Sequence, residues 1–372
     1  MKKNSKKRKP QSPRSHDKQQ RATKERSITI GMDLGDKRSR YCVLEESEVV
    51  KEDSVATQKK ELVEVFGRYQ RCRIALEVGT HSPWISRLLS ELGHEVIVAN
   101  PRQLQLIAQS SRKDDKVDAK TLARLARVEP ELLRPIRHRS EKAQLDLMQI
   151  RVRAGRVEAR TALVNTVRGL AKSVGERVPK CDPEALDQGR WAGLREPLRA
   201  VLKPLVEQVE SLSEQIQQCE RNLEQIAREE YPETELLQQV WGVGTLIALT
   251  FVLTVEDPAR FVHSRDVGCY VGLRPKRCQS GQSDPQLRIT KEGDLYLRRL
   301  LVQGAHRILS PRSPDTDLRR WGWKLAARGG KHAKQRALVA VARKLGILLH
   351  RLWVTAEVYE PLRNAPAVHR AA

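Results

Sequence analysis

The sequence predicts an α/β layer at its N-terminal end, a connector of long helices forming a coiled coil, and a mainly α-helical C-terminal domain. Three observations carry this. Between residues 27 and 139, short apolar runs alternate with amphipathic ones, as strands interleaved with helices do. From Ser140 onward the strand signal stops and apolar residues recur at helical spacing. After Tyr231-Pro232 the composition shifts again, to an apolar helix, a polar loop and further helices. The expected divisions are a basic tail over 1–26, domains over 27–139, 140–230 and 231–360, and a short tail over 361–372.

In the first domain, Ser27–Asp33 and Arg40–Leu44 read as strands, with Gly35 and Asp36 turning between them. Lys59–Tyr69 spaces Leu62, Val65 and Phe66 as a helix does. Arg73–Glu77 is a strand ending on an acid, and Pro83–Leu92 is a helix stopped by Gly93. Glu95–Ala99 is a nearly continuous apolar run, as in a strand covered on both faces.

In the connector, Leu145, Met148, Val152, Gly155, Ala159, Ala162 and Thr166 step by three and four along one helix. Arg153, Arg156 and Arg160 share another of its faces. Leu202, Leu205, Val209, Leu212, Ile216, Cys219, Leu223 and Ile226 form a heptad seam, which predicts a coiled coil within the chain or between chains. Val240–Val255 then sets a Gly-x-Gly turn before an apolar helix, a place where phosphate can sit or simply a turn.

Charge points to the partner. Lys and Arg number 69 against 46 Asp and Glu, a net charge of +23. Such a surplus favours a polyanion, and nucleic acid is the usual one. Residues 1–26 hold eleven Lys or Arg and two acids without an apolar run, so they read as a disordered arm touching phosphates rather than a signal peptide. The six cysteines contain no C-x-x-C pair, which argues against a zinc ribbon and a disulfide scaffold and fits reduced thiols. No apolar stretch is long enough to span a bilayer. The expectation is a soluble cytoplasmic protein, associated with the nucleoid when acting.

Four acids stand where core-facing or turn-fixed side chains are expected. Asp33 ends the first strand before Leu34-Gly35, Glu77 ends the apolar run Ile74-Ala75-Leu76, and Asp115 and Asp118 lie three apart at a helix start. Each has a plainer reading, as a turn former or a partner of the helix dipole. Converging, they would repel unless a cation sat among them. Hard oxygens suit Mg²⁺ or Mn²⁺, and two such ions roughly 4 Å apart can clamp a phosphodiester.

This Asp33, Glu77, Asp115, Asp118 set, with Lys113-x-Asp115-x-x-Asp118-Ala119-x-x-Leu122-Ala123, resembles the Asp-Glu-Asp-Asp set of RuvC-like transposases. The resemblance implies a RuvC/RNase H-like fold for the first domain. Asp114 stands where that family usually has Thr, so it competes with Asp115 as ligand. Farther on, Val240–Thr245, Tyr270–Pro275, Ser280-Gly281, Ile289–Asp294, Leu297–Leu301 and Ala337–Leu345 follow in order. They resemble the C-terminal domain of the insertion-sequence family called one-ten, bridge-RNA-guided recombinases.

By that resemblance Ser280 is the nucleophile. A serine on a Gly-flanked loop can attack a phosphodiester and hold the broken strand covalently. Arg274, Lys276, Arg277 and Arg288 lie near it in sequence, and Lys291 opens a second basic cluster with Arg298 and Arg299 beyond. Ser283 follows three residues later and is a rival nucleophile. Arg153, Arg156, Arg160, Arg274, Lys276, Arg277, Lys291, Arg298 and Arg299 are the expected nucleic-acid contacts.

The leading reading is a site-specific DNA recombinase in which carboxylates and serine build one composite site. Its expected partners are donor and target DNA, a structured guide RNA and further copies of the chain, as a dimer or tetramer. The chief alternative is a RuvC-like junction nuclease using metal-activated water. An actin-like phosphotransferase would need a second Asp-x-Gly turn closing a strand, and no strand-like run downstream ends on one. A non-catalytic nucleic-acid-binding protein would leave the carboxylates unexplained.

Overall fold

The structure, a computed structural model, describes residues 28–100, 115–179, 181–182, 186, 191–285 and 287–364, without the side chains of Asp115 and Lys116. The basic arm 1–26, Asp114 and most of the 361–372 tail lie outside these residues. Contacts divide the chain into two compact units, Met1–His138 and Arg139–Ala372.

The first unit is built on a five-stranded mixed sheet: β1 Ile28–Asp33, β2 Arg38–Glu45, β3 Glu48–Ala56, β4 Arg73–Glu77 and β5 Glu95–Ala99, in the order β3-β2-β1-β4-β5. β1, β2 and β3 pair antiparallel, whereas β4 runs parallel to β1 and β5 parallel to β4. Ile30, Met32, Ile74 and Leu76 point to one face. There they pack with Leu62 and Phe66 of α1 (Lys59–Phe66) and Ile85, Leu88 and Leu89 of α2 (Ser82–Glu91). The opposite face is covered by α3 (Asp115–Val128). Leu122 and Ala126 meet Ala75, Ile97 and Ala99, and Ala119 and Ala123 meet Cys42 and Leu44. The free side of β5 is tied by Ile136 N–H to Val98 O (2.9 Å) and Asn100 N–H to Leu133 O (3.0 Å).

β3 is a strand that the sequence reading did not expect. Glu48–Ala56 exposes Glu48, Val50, Lys51, Glu52 and Asp53, with Val55 its one buried residue, so the apolar alternation of a half-buried strand is missing. Its pairing with β2 is what makes it a strand. Edge strands commonly carry such charges, which discourage pairing with other chains.

The second unit begins with two long helices, α4 (Glu141–Ser173) and α5 (Glu196–Glu230). Ser140 caps α4 by accepting the Ala143 N–H at 3.2 Å. Arg153 of α4 pairs with Glu220 and Arg160 with Ser213, so one helix rises in number as the other falls. They form an antiparallel hairpin. Beyond it lie α6 (Glu233–Gln238), α7 (Thr245–Val255), α8 (Val267–Tyr270), α9 (Leu295–Ile308), α10 (Asp317–Ala326) and α11 (Ala333–Thr355). α7 is buried along nearly its whole length. Phe251 and Val252 meet the α9 and α11 core, while Leu249 and Leu253 meet Leu147 and Ile150 of α4.

The helices run where the periodicity places them, but their buried faces differ from those expected. α4 buries Ala143, Leu147 and Ile150, then Val164, Val167 and Ala171. Leu145, Met148 and Val152 are 55%, 48% and 51% exposed. α5 buries Leu202, Val206, Val209, Ser213, Ile216, Leu223 and Ala227, and leaves Leu205, Leu212, Cys219 and Ile226 half-buried at the margin. The seam is turned by about one position because α4 of the same chain occupies it.

Candidate functional site

Asp33 and Glu77 close two neighbouring parallel strands. β1 and β4 pair Gly31 with Ala75 and Met32 with Leu76, so Asp33 and Glu77 follow in register on the face that carries Gly31 and Ala75. That is the face covered by α3. Gly31 permits the cover: a Cβ there would stand 2.0 Å from the Ala119 carbonyl oxygen and 2.4 Å from the Ala123 nitrogen. Glycine inside a strand marks such close approaches.

The direction of α3 places its acids. Its C-terminal end sits at the start of the strands, where Arg73 Nη1 donates to Ala126 O (3.0 Å) and Arg127 Nη1 to Thr29 Oγ1 (3.4 Å). Its first turn, which holds Asp115 and Asp118, therefore lies at the carboxyl ends of β1 and β4. Asp33, Glu77 and Asp118 are half-buried there, and each has an interaction of its own. The Asp115 side chain lies outside the described residues. Among the described residues no three His, Cys, Asp or Glu side chains close to metal-binding distance. The donor set at this edge is nonetheless of hard carboxylate oxygens, which fits a divalent cation of the Mg²⁺ or Mn²⁺ kind.

The same edge carries groups that the sequence reading passed over. His81 Nδ1 accepts the Trp84 indole N–H at 3.1 Å, which leaves Nε2 as the protonated nitrogen facing Asp36 Oδ1 at 3.3 Å. Ser82 Oγ donates to Gly79 O (2.8 Å) and accepts from Gly79 N–H (3.0 Å), with His138 Nε2 2.9 Å away. These bonds fix the turn that follows Glu77. The contacts of Ser82 with His138 and of His81 with Asp36 span 56 and 45 positions, so no residue spacing announces them.

In the second unit, Ser280 stands at the tip of an irregular hairpin. Lys276 N–H donates to Arg288 O and Thr290 N–H to Arg274 O, both at 2.9 Å. At the tip Ser280 and Ser283 exchange backbone bonds of 3.1 and 3.0 Å around Gly281-Gln282. Gly281 has φ +56° and Gln282 is not left-handed, the backbone of a type II′ turn. Ser280 and Ser283 thus flank one tight turn, both exposed, with Arg274, Lys276, Arg277 and Arg288 exposed along the arms.

The base of the hairpin is interlocked. A Cβ on Gly272 (φ +68°) would stand 2.2 Å from Glu292 O, and one on Gly293 (φ +70°) 1.9 Å from Tyr270 O. Arg298 is buried and donates Nη1 to Val271 O (2.9 Å) and Glu292 O (2.7 Å). Asp294 caps α9 through the Leu297 N–H (2.8 Å) and pairs with Arg151 of α4 (2.6 Å).

Four of the expected nucleic-acid contacts have packing partners within the second unit. Arg160 is buried and donates Nη1 to Ser213 Oγ at 3.1 Å. Arg153 pairs with Glu220, and Arg156 points Nη1 at Cys219 Sγ. These three hold α4 to α5, and Arg298 clasps the hairpin base. Arg274, Lys276, Arg277, Lys291 and Arg299 keep exposed side chains, Arg299 with Glu158 at 3.6 Å. The Gly-x-Gly turn also has a packing role. A Cβ on Gly242 (φ +88°) would stand 2.9 Å from Gly304 O, so that turn seats α7 against α9.

Comparison with known proteins agrees with both halves. A DEDD transposase family model of the one-ten type matches residues 30–175, and the model described as "Transposase IS116/IS110/IS902 family" matches residues 234–319. A Pseudomonas aeruginosa protein named "Probable family 20 transposase" is 27% identical over 82% of this chain and 90% of its own length. The transposase for insertion sequence element IS1111A of Coxiella burnetii is 27% identical over 77% of this chain and 79% of its own. That for IS1328 of Yersinia enterocolitica is 27% identical over 74% and 82%. No helix among the described residues is long and apolar enough to cross a membrane. With ordered matches in both units and transposase relatives along most of its length, the chain belongs to the IS110 family of insertion-sequence transposases, enzymes that cut and join DNA.

Proposed function

We propose that the chain is a recombinase that cuts DNA with the Ser280 hydroxyl, assisted by a divalent cation on Asp33, Glu77, Asp115 and Asp118. The convergence of Asp33, Glu77 and the first turn of α3 at one sheet edge carries the metal half of this reading. The strand order, with three antiparallel strands followed by two parallel ones, supports a RuvC/RNase H-like fold. The DEDD domain type implies a divalent metal, and Mg²⁺ or Mn²⁺ suits the oxygen donors. Such a cation would stabilise charge on the phosphate oxygens.

The serine half rests on the hairpin tip and on the matched C-terminal family. Ser280 Oγ attacks phosphorus, its proton passes to a base, and the P–O bond to the departing strand breaks as that oxygen gains a proton. The serine–phosphate ester conserves bond energy, so a second DNA hydroxyl can displace the serine and rejoin the strand. Arg274, Lys276, Arg277 and Lys291 would meet phosphates. A structured guide RNA, read by shape and backbone charge, and a homo-oligomer built partly on the helical hairpin complete the proposal. The net charge of +23 supports the former.

The deciding experiment is a detergent quench. The wild type should leave a protein–DNA adduct that survives boiling and maps to Ser280, while Ser280→Ala should bind DNA and leave it uncut. Mapping to Ser283 would shift the nucleophile by one turn. Full cleavage by Ser280→Ala without an adduct would establish the water-using nuclease instead.

A further inference from the structure

The second unit contains a cavity of about 440 Å³ that involves neither the carboxylates nor the serine hairpin. It lies among α9, α10 and the start of α11, walled by Leu309, Ala326 and Leu338, with Trp323 along one side. Trp323 is 46% exposed. Gly322 lets α10 approach this closely, since a Cβ there would stand 2.6 Å from Leu309 Cδ2 and 2.7 Å from Val341 Cγ2. His306, Ser310, Lys334 and Gln335 supply its polar groups.

An indole left open to water beside an apolar cavity suggests a ligand that covers it. Charge identifies the ligand. From Trp321 to Ala342 the chain carries five Lys or Arg and no Asp or Glu. These cations, Lys324, Arg328, Lys331, Lys334 and Arg336, are all exposed. The cavity falls within the roughly 300–1,000 Å³ of small-molecule sites, so it takes one planar group rather than a helix. A planar group joined to a chain of negative charge is a nucleotide. His306 also borders a second hollow with Gln303 and Arg307, which extends the surface to a neighbouring nucleotide.

We propose that this cavity binds one unpaired base of a DNA strand, stacked on Trp323, with flanking phosphates on Lys334 and the other cations between Lys324 and Arg336. A base within a duplex is covered on both faces by its neighbours and cannot enter without leaving the stack. The Gln335 amide can both donate to and accept from a base edge. DNA is the strand in question because cutting and joining DNA is what this family does, and strands leave the duplex when exchanged. The site is independent of the roles of Ser280 and the carboxylates.

The test measures binding alone. Anisotropy of a labelled mixed-sequence DNA oligonucleotide, single-stranded or annealed, should show Trp323→Ala weakening the single strand roughly ten-fold and the duplex hardly at all. Trp323→Phe should keep most of the affinity. Lys334→Ala should weaken both forms and lower the salt dependence. A single strand substituted with bromodeoxyuridine should crosslink to Trp323 in the unaltered protein, which decides the matter should the alanine variant fold poorly. Equal losses for both forms, no loss for either, or crosslinks only elsewhere would overturn the proposal. A loss confined to an RNA strand of the same sequence would overturn its assignment to DNA.

Discussion

Gly31 and Ala119 are in backbone contact: the space a Cβ would need on the strand is filled by the carbonyl oxygen of the helix, 2.0 Å away. Gly31→Ala should therefore lift α3 and move Asp118 without altering any carboxylate. Overpacking of this kind costs about 1–3 kcal/mol, occasionally more. We expect a lower denaturant midpoint together with a loss of recombination. Parental stability in the alanine variant would show that the seat is looser than its geometry.

Asp33→Asn and Asp118→Asn keep side-chain size and remove one charge each from the sheet edge. Calorimetric Mn²⁺ titration should show weakened binding, with circular dichroism unchanged. DNA strand joining at the parental rate in either variant would place the active site elsewhere.

The arginines should divide into two groups by what they change. Arg160→Ala removes a buried guanidinium and leaves Ser213 short of a donor, so stability should fall by about 1–3 kcal/mol. Arg274→Ala removes an exposed charge. It should leave the melting temperature in place and reduce the slope of log affinity against log salt by about 1. An Arg160 variant with unchanged stability and weakened DNA binding would reverse the assignment.

Burial pushes the Cys72 thiol from 9.0 up to about 11. Between these values the unfolded chain loses its thiol proton while the folded chain keeps it, so the fold loses stability as pH rises. The advantage of the wild type over Cys72→Ala should shrink by about 2 kcal/mol between pH 9 and 11. Thiol reagents at neutral pH should label exposed Cys278 well before Cys72. A flat stability difference across that range would show that Cys72 is hydrated.

Sequence legibility follows the strength of local signals. β1, β4 and β5 are apolar runs closed by polar residues, and they stand within a residue of where the runs lie. β3 had no such run. In α4 an apolar stripe and an arginine stripe offered two candidate inner faces, and hydrophobicity favoured the first. The partner decided otherwise, because α5 presents Ser213, Cys219 and Glu220 to the arginines. Such a choice depends on residues some sixty positions away. Gly31 could have been found, since a glycine between Ile30 and Met32 has no reason to interrupt a buried strand except close approach.

The paired glycines at the base of the serine hairpin bear on how this protein can be altered. With Gly272 pressed against the Glu292 backbone, Gly293 against that of Tyr270, and Arg298 bonded to Val271 O and Glu292 O, the two arms leave the body as a fixed pair. Adding a residue pair to the two arms, below Ser280 and Ser283, would change the reach of Ser280 while sparing the fold. A single added methyl at Gly272 or Gly293 would pry the arms from their root. Adjustments of reach therefore belong in the arms, and the root tolerates almost none.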